Sequence, residues 1–142
     1  VLEVFLPGQN RKERAADNQG AEDSGLCVAG ESGGGMKILL VSHELSVTGA
    51  PNSLLRQAKY FLEAGHEVSV WTLSDGDLRP RYEDVGLNPV LIENSRSFIA
   101  GEFEKLARRP DFIVCNTIRT YRAVDVLQRF GIPVVWFIRE TR

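Results

Sequence analysis

From Met36 to Ile138 the chain alternates short, almost wholly apolar runs with longer stretches in which apolar residues recur every three or four positions. A run such as MKILLVS is typical of a parallel strand covered on both faces, whereas the longer spacing is typical of an amphipathic helix. Five runs are predicted to form strands: 36–42, 67–73, 89–92, 111–115 and 133–138. Helices are predicted within 48–65, near 79–85, over 98–109 and over 120–130.

Strands that alternate with helices, joined by right-handed crossovers, favour an α/β fold with a Rossmann-like, doubly wound parallel sheet. We expect the strand order 3-2-1-4-5, counting from the strand at 36–42. In such sheets ligands bind beyond the carboxyl ends of the strands, near the point where the strand order reverses. This geometry selects the loops 43–49, 116–119 and 139–142 as candidate sites. Because residue 142 closely follows the last strand, we expect the domain to be truncated.

The segment before Met36 differs in composition. Residues 10–35 are rich in Gly, Ser, Asn, Asp and Glu, and such a segment cannot bury enough apolar surface to offset its ordering entropy. We therefore predict an upstream tail and flexible linker over 1–35 and a Rossmann-like domain over 36–142. Residues 1–6 are apolar enough for a strand, whose place the sequence does not determine.

Composition excludes several function classes. With 142 residues, 43% of them hydrophobic, the chain can form one domain. A net charge of −2 gives no basic surface for a phosphate backbone, so we expect no nucleic-acid partner. Two cysteines and two distant histidines form neither a disulfide framework nor a metal site, which favours a reducing cytoplasm and predicts no metal. No apolar run approaches the roughly 20 residues that span a bilayer, although peripheral membrane contact stays open.

The loop SHELSVTGAP at 42–51 is the most informative segment. Small residues at the predicted helix start, Thr48, Gly49 and Ala50, let a ligand approach the backbone, and the helix dipole there favours a phosphate or carboxylate. An ordinary capped strand-to-helix connection is the alternative. The loop contains neither the dinucleotide-binding nor the P-loop glycine pattern, so we predict no nucleotide cofactor.

Other polar residues follow the predicted strands. His43 could contact substrate or act as a base, whereas His66, in a turn at the opposite edge, is expected to be structural. Asp75, Asn116, Thr117 and Arg139 are expected to converge on one edge of the sheet, with Glu140 beside them. The alternative for Arg139 and Glu140 is a solvated strand end.

Three segments of the chain carry a family resemblance. The run MKILLVSHELSVTGAPNSLLRQAKYFLEAGHEVSVWTL and the later strands DFIVCNT and PVVWFIRE resemble the opening of retaining glycosyltransferases of family 4, a large bacterial group with the GT-B architecture. The resemblance covers residues 36–142. It departs where many relatives have a His–acid pair after the fifth strand and this chain has Arg139-Glu140.

The resemblance implies transfer of a sugar from a nucleotide-sugar donor to a saccharide, lipid or protein acceptor, with no essential metal or cofactor. It implies that this half holds the acceptor while a second domain binds the donor, so that residues 1–142 alone are inactive. It assigns substrate binding to Thr48, Gly49, Ala50, Asn116 and Thr117. His43, Arg139 and Glu140 are candidates for the chemistry.

Two further expectations accompany this interpretation. A non-catalytic α/β interaction or regulatory module, tethered by the 10–35 linker, is the alternative function. Truncation would also expose a sheet edge and apolar surface, so we expect the fragment to self-associate.

Overall fold

The computed structural model describes residues 2–6 and 35–138. Its strands are β1 (Leu2–Phe5), β2 (Lys37–Ser42), β3 (Glu67–Thr72), β4 (Val90–Leu91), β5 (Phe112–Asn116) and β6 (Val134–Phe137). Its helices are α1 (Gly49–Glu63), α2 (Arg79–Asp84), α3 (Arg96–Glu104) and α4 (Tyr121–Leu127), the last flanked by 3-10 turns at Ile118–Thr120 and Gln128–Phe130. The linker predicted within 1–35 lies mostly outside the described residues, as do Arg139 and Glu140.

The six strands form one sheet in the order β1-β6-β5-β2-β3-β4. The pairs from β4 through β6 are all parallel, and their order is the predicted 3-2-1-4-5. The α/β, Rossmann-like fold class is therefore confirmed. The difference is β1, which pairs antiparallel with β6 and places Leu2 opposite Phe137. Without β1, β6 would be an edge strand with a row of unpaired backbone N–H and C=O groups. Residues 2–5 supply hydrogen-bond partners for that row.

Helices cover the sheet on two faces. On one face α1 and α2 bury a cluster that includes Leu40, Leu54 and Tyr82, and on the other α3 and α4 bury one that includes Phe103 and Val124. The central strand β2 contributes Ile38 and Leu40 to the first cluster and Leu39 and Val41 to the second, each at most 2% exposed. Burial on both faces explains why the strand reads as a continuous apolar run.

The ends of the helices show where sequence patterns succeed and fail. Gly65 follows α1 with a φ of +92°, the left-handed conformation predicted for the residue that ends this helix. Helix α3 begins earlier than predicted because Ser95 caps it, its Oγ accepting from the Phe98 N–H at 3.3 Å. It also ends earlier, at Glu104.

Among the described helices none combines the length and apolarity needed to cross a bilayer.

Candidate functional site

A cleft of about 550 Å³ opens at the carboxyl ends of β2 and β5, beside the first turn of α1. This is the edge of the sheet where the strand order reverses, as expected for a ligand site in this fold. The cleft is lined by His43, Glu44, Thr48, Gly49, Ala50, Ser53, Arg56 and Thr117. The structure therefore brings together five of the residues selected from the sequence and adds three more.

The first turn of α1 forms one wall of the cleft. Thr48 is the N-cap residue, but its side chain makes no capping hydrogen bond to the helix. Instead its Oγ1 lies 3.0 Å from Ser46 Oγ. A Cβ added to Gly49 would meet nothing within 4 Å, so the backbone here faces open space. The Thr48 side chain leaves the first backbone N–H groups of α1 without a capping acceptor. Such N–H groups suit an anionic ligand group.

A chain of polar contacts crosses the cleft from β5 to the loop after β2. Thr117 Oγ1 lies 3.1 Å from Nδ1 of His43, and Nε2 of His43 lies 3.3 Å from Oε1 of Glu44. Oε2 of Glu44 accepts a short hydrogen bond from the Ser46 hydroxyl. The side chains of His43 and Glu44 are 15% and 33% exposed, so they border the cleft without being fully buried.

Thr117 has a backbone conformation that β-branched residues rarely adopt. Its φ is 74° and its ψ 158°, a region otherwise used almost only by glycine, at a cost of about 1–3 kcal/mol. Surrounding hydrogen bonds hold the residue there. Its N–H donates to the Phe137 carbonyl at 2.7 Å, and its carbonyl accepts from Trp136 Nε1 and from Thr120 Oγ1, both at 2.8 Å.

Asn116, predicted to bind substrate, has its amide group engaged within the protein. Its Nδ2 donates to the Ala50 carbonyl at 2.7 Å and so ties the end of β5 to the first turn of α1. Asn116 is 1% exposed. In this structure it therefore positions the wall of the cleft, and it does not line the cleft itself.

Two further sequence predictions have clear outcomes. The structure does not bring Asp75 to the cleft, because its carboxylate pairs with Arg79 at 2.8 Å beside α2. The hydrogen bond from Arg79 lowers the pKa of Asp75 below its usual value. His66 is structural, as predicted, since its Nδ1 accepts from the Met36 N–H at 3.0 Å. Arg139 and Glu140 lie outside the described residues.

Other chemistry in the described part of the chain is limited. Residues 2–6 and 35–138 contain no group of three or more His, Cys, Asp or Glu side chains placed to hold a metal. Cys115 is completely buried, and burial raises the pKa of its thiol, which keeps the sulfur protonated and unreactive. The candidate chemistry therefore rests on the cleft residues.

In a comparison with protein families, residues 34–142 match the model of glycosyltransferase family 4. The chain belongs to glycosyltransferase family 4. The match covers β2 through β6 and every residue of the cleft, and it confirms the resemblance found in the sequence. Comparisons with curated proteins and with solved structures give no significant match.

Two residues that line the cleft of this glycosyltransferase domain, Ser53 and Arg56, lie outside the loops selected from the sequence, and Glu44 lies in the selected loop 43–49 but was not singled out there. Ser53 and Arg56 lie four and seven positions after Gly49, the spacing that places residues on one face of a helix. That polar stripe on α1 is the signal that could have found them. Glu44 has no such periodic signal, because it lies in an irregular loop.

Proposed function

We propose that this glycosyltransferase domain is the acceptor-binding half of an enzyme with GT-B architecture that uses a nucleotide-sugar donor. The acceptor would occupy the cleft, and the donor phosphates would approach the first turn of α1. The observation that carries the proposal is that one cleft combines this helix start with Arg56 and with the polar side chains of His43 and Thr117.

Charge supports a phosphate near α1. The helix has 15 residues, enough for its dipole to concentrate positive potential at Gly49 and Ala50. Arg56 lines the same cleft and adds a cationic guanidinium. Negative charge builds on the leaving nucleoside diphosphate during glycosyl transfer, so a fixed cation and a helix start would stabilise the transition state.

The remaining contacts suit a hydroxylated acceptor. His43, Glu44, Ser53 and Thr117 place both hydrogen-bond donors and hydrogen-bond acceptors around the cleft, as recognition of sugar hydroxyls requires. A saccharide, a glycolipid or a glycosylated protein would all present such hydroxyls.

The proposal assigns donor binding to a second domain. Residues 1–142 alone would then bind no nucleotide sugar and catalyse no transfer. Calorimetric titration of the complete protein and of residues 1–142 with UDP-, GDP- and dTDP-sugars tests this assignment. Binding of one donor by the complete protein alone supports it, and binding by neither would favour the non-catalytic interaction module.

Substitutions in the complete protein test the cleft itself. Gly49→Leu would fill the open space at the start of α1, and Arg56→Gln would remove the cation. Both are expected to lower transfer at least tenfold. Arg81→Gln, at an exposed position of α2, is the matched control and should leave transfer unchanged. Undiminished transfer by both cleft variants would remove this cleft from the reaction.

Self-association of residues 1–142 stays a prediction, and the structure offers a surface on which to test it. An apolar groove of about 470 Å³ lies between α1 and strands β5 and β6, and its rim residue Tyr60 is 68% exposed. Sedimentation of the wild-type chain and of Tyr60→Ser over a range of concentrations should show association that the substitution weakens. A monomer at every concentration would contradict the prediction.

A further inference from the structure

The hydroxyl of Thr117 has two polar neighbours, the backbone N–H of Arg119 and the His43 ring. Its Oγ1 accepts from the backbone N–H of Arg119 at 3.3 Å, so its own proton is left to point elsewhere. Nδ1 of His43, at 3.1 Å, is an acceptor within reach. A hydrogen bond from the Thr117 hydroxyl to Nδ1 leaves the ring proton of a neutral His43 on Nε2.

The contacts beyond His43 run in the same donor-to-acceptor direction, toward Glu44. With its proton on Nε2, His43 donates toward Oε1 of Glu44, 3.3 Å away. The Ser46 hydroxyl donates to the other carboxylate oxygen, Oε2. The Glu44 carboxylate thus has a hydrogen bond from Ser46 on one oxygen and the His43 ring facing its other oxygen.

We propose that Thr117 is a positioning residue, which fixes the His43 ring in the Nε2–H tautomer and thereby orients Glu44 as a hydrogen-bond acceptor in the cleft. A carboxylate oxygen carries more than one lone pair, so Glu44 can still accept from a ligand hydroxyl. The significance for acceptor binding rests on the proposed function, whereas the orientation of the ring does not. His43 then acts as a donor that holds Glu44, in place of the base suggested by its position in the sequence.

The backbone of Thr117 gives an independent reason for this assignment. A threonine at φ 74° and ψ 158° is strained, and glycine would adopt this conformation with less strain but would supply no hydroxyl. Strained residues of this kind cluster at functional sites, where the strained geometry places a particular group. Here the group is the hydroxyl that faces His43.

Residues 1–142 are a favourable system for the test, because they contain two histidines, His43 and His66. Ring-nitrogen chemical shifts of the ¹⁵N-labelled chain distinguish the two neutral tautomers, at about pH 8.5 where unperturbed imidazoles are neutral. His66 is an internal reference, since its Nδ1 accepts from the Met36 backbone and its proton is likewise on Nε2. A His66→Gln variant assigns the two sets of signals.

We expect His43 to show the pure Nε2–H pattern in the wild type. Thr117→Val, which replaces the hydroxyl by a methyl group, should give shifts averaged between the two tautomers while those of His66 stay constant. Thr117→Ser should restore the wild-type pattern. A purely structural role for Thr117 would change neither set of shifts selectively.

Two results would overturn the proposal. One is an Nδ1–H pattern for His43 in the wild type. This measurement does not depend on the folding of any variant. The other is an unchanged His43 pattern in Thr117→Val and in Thr117→Ala, tested as a second variant in case valine is not accommodated. All these measurements use the chain without ligand, so they are independent of whether the complete protein transfers a sugar.

Discussion

Replacing Gly76 by alanine should destabilise the domain, although alanine is usually the more favourable residue. Gly76 lies directly against the loop that follows β2. An added Cβ would stand 2.5 Å from the Leu45 carbonyl oxygen and 2.6 Å from its carbon, closer than Cβ atoms come to other heavy atoms. Because these are backbone atoms, no side-chain rotation can relieve the contact. Leu45 is completely buried, and its carbonyl also accepts from the Leu78 N–H at 2.8 Å, so the loop resists displacement.

The structure allows the size of the effect to be estimated. Overpacking that forces backbone shifts typically costs about 1–3 kcal/mol. Gly101 is the matched control, because it lies within α3 and an added Cβ would meet nothing within 4 Å. Gly101→Ala should stabilise the domain by about 0.5–1 kcal/mol, since glycine loses more backbone entropy in a helix than alanine does. The two substitutions should therefore differ by roughly 1.5–4 kcal/mol, in opposite directions from the wild type.

Urea and thermal unfolding of the wild type, Gly76→Ala and Gly101→Ala would measure this difference. Trp71 and Trp136 lie in β3 and β6, so intrinsic fluorescence reports directly on the sheet. Each kcal/mol corresponds to about 4 °C or more in Tm for a domain of this size. A Gly76→Ala variant as stable as Gly101→Ala would refute the argument from close packing, and with it the expectation that the loop bearing Glu44 has a fixed position.

Three further predictions concern single contacts. Tyr82→Phe removes the hydrogen bond that the buried Tyr82 hydroxyl donates to the Pro51 carbonyl at 2.8 Å, and it should cost about 1–2 kcal/mol in urea unfolding. Thr117→Gly should be more stable than Thr117→Ala by about 1 kcal/mol, the reverse of the usual order, because glycine relieves the backbone strain; equal Tm values would contradict this. A hydrogen bond from Arg96 lowers the pKa of Asp125, so this carboxylate stabilises the fold above its ordinary pKa of 3.8 and loses that effect as the pH falls through the lowered value. Asp125→Asn should then cost about 0.5 kcal/mol at pH 7 and progressively less as the pH falls below 3.8, and a cost that does not vary with pH would contradict the ion-pair explanation.

Hydrophobic patterning and strand order were enough to predict the fold class and the location of the cleft. Burial on both faces requires the continuous apolar run at β2, and short connections between strands and helices leave few alternatives to the parallel order. Once that order is known, the loops after β2 and β5 must meet at one edge. This is why His43, Gly49 and Thr117 could be grouped from the sequence, and why they line one cleft.

The contacts that each of these residues makes in the cleft could not be predicted from local patterns. The contact between Thr117 and His43 joins positions 74 residues apart, and it depends on strand register and on one positive φ that no local pattern encodes. The pairing of β1 with β6 likewise depends on where the edge of the sheet lies. Hydrophobic periodicity is a local property that records which face of an element is buried. Hydrogen bonds between distant polar side chains require the positions of both backbones, which are fixed only when the sheet has assembled.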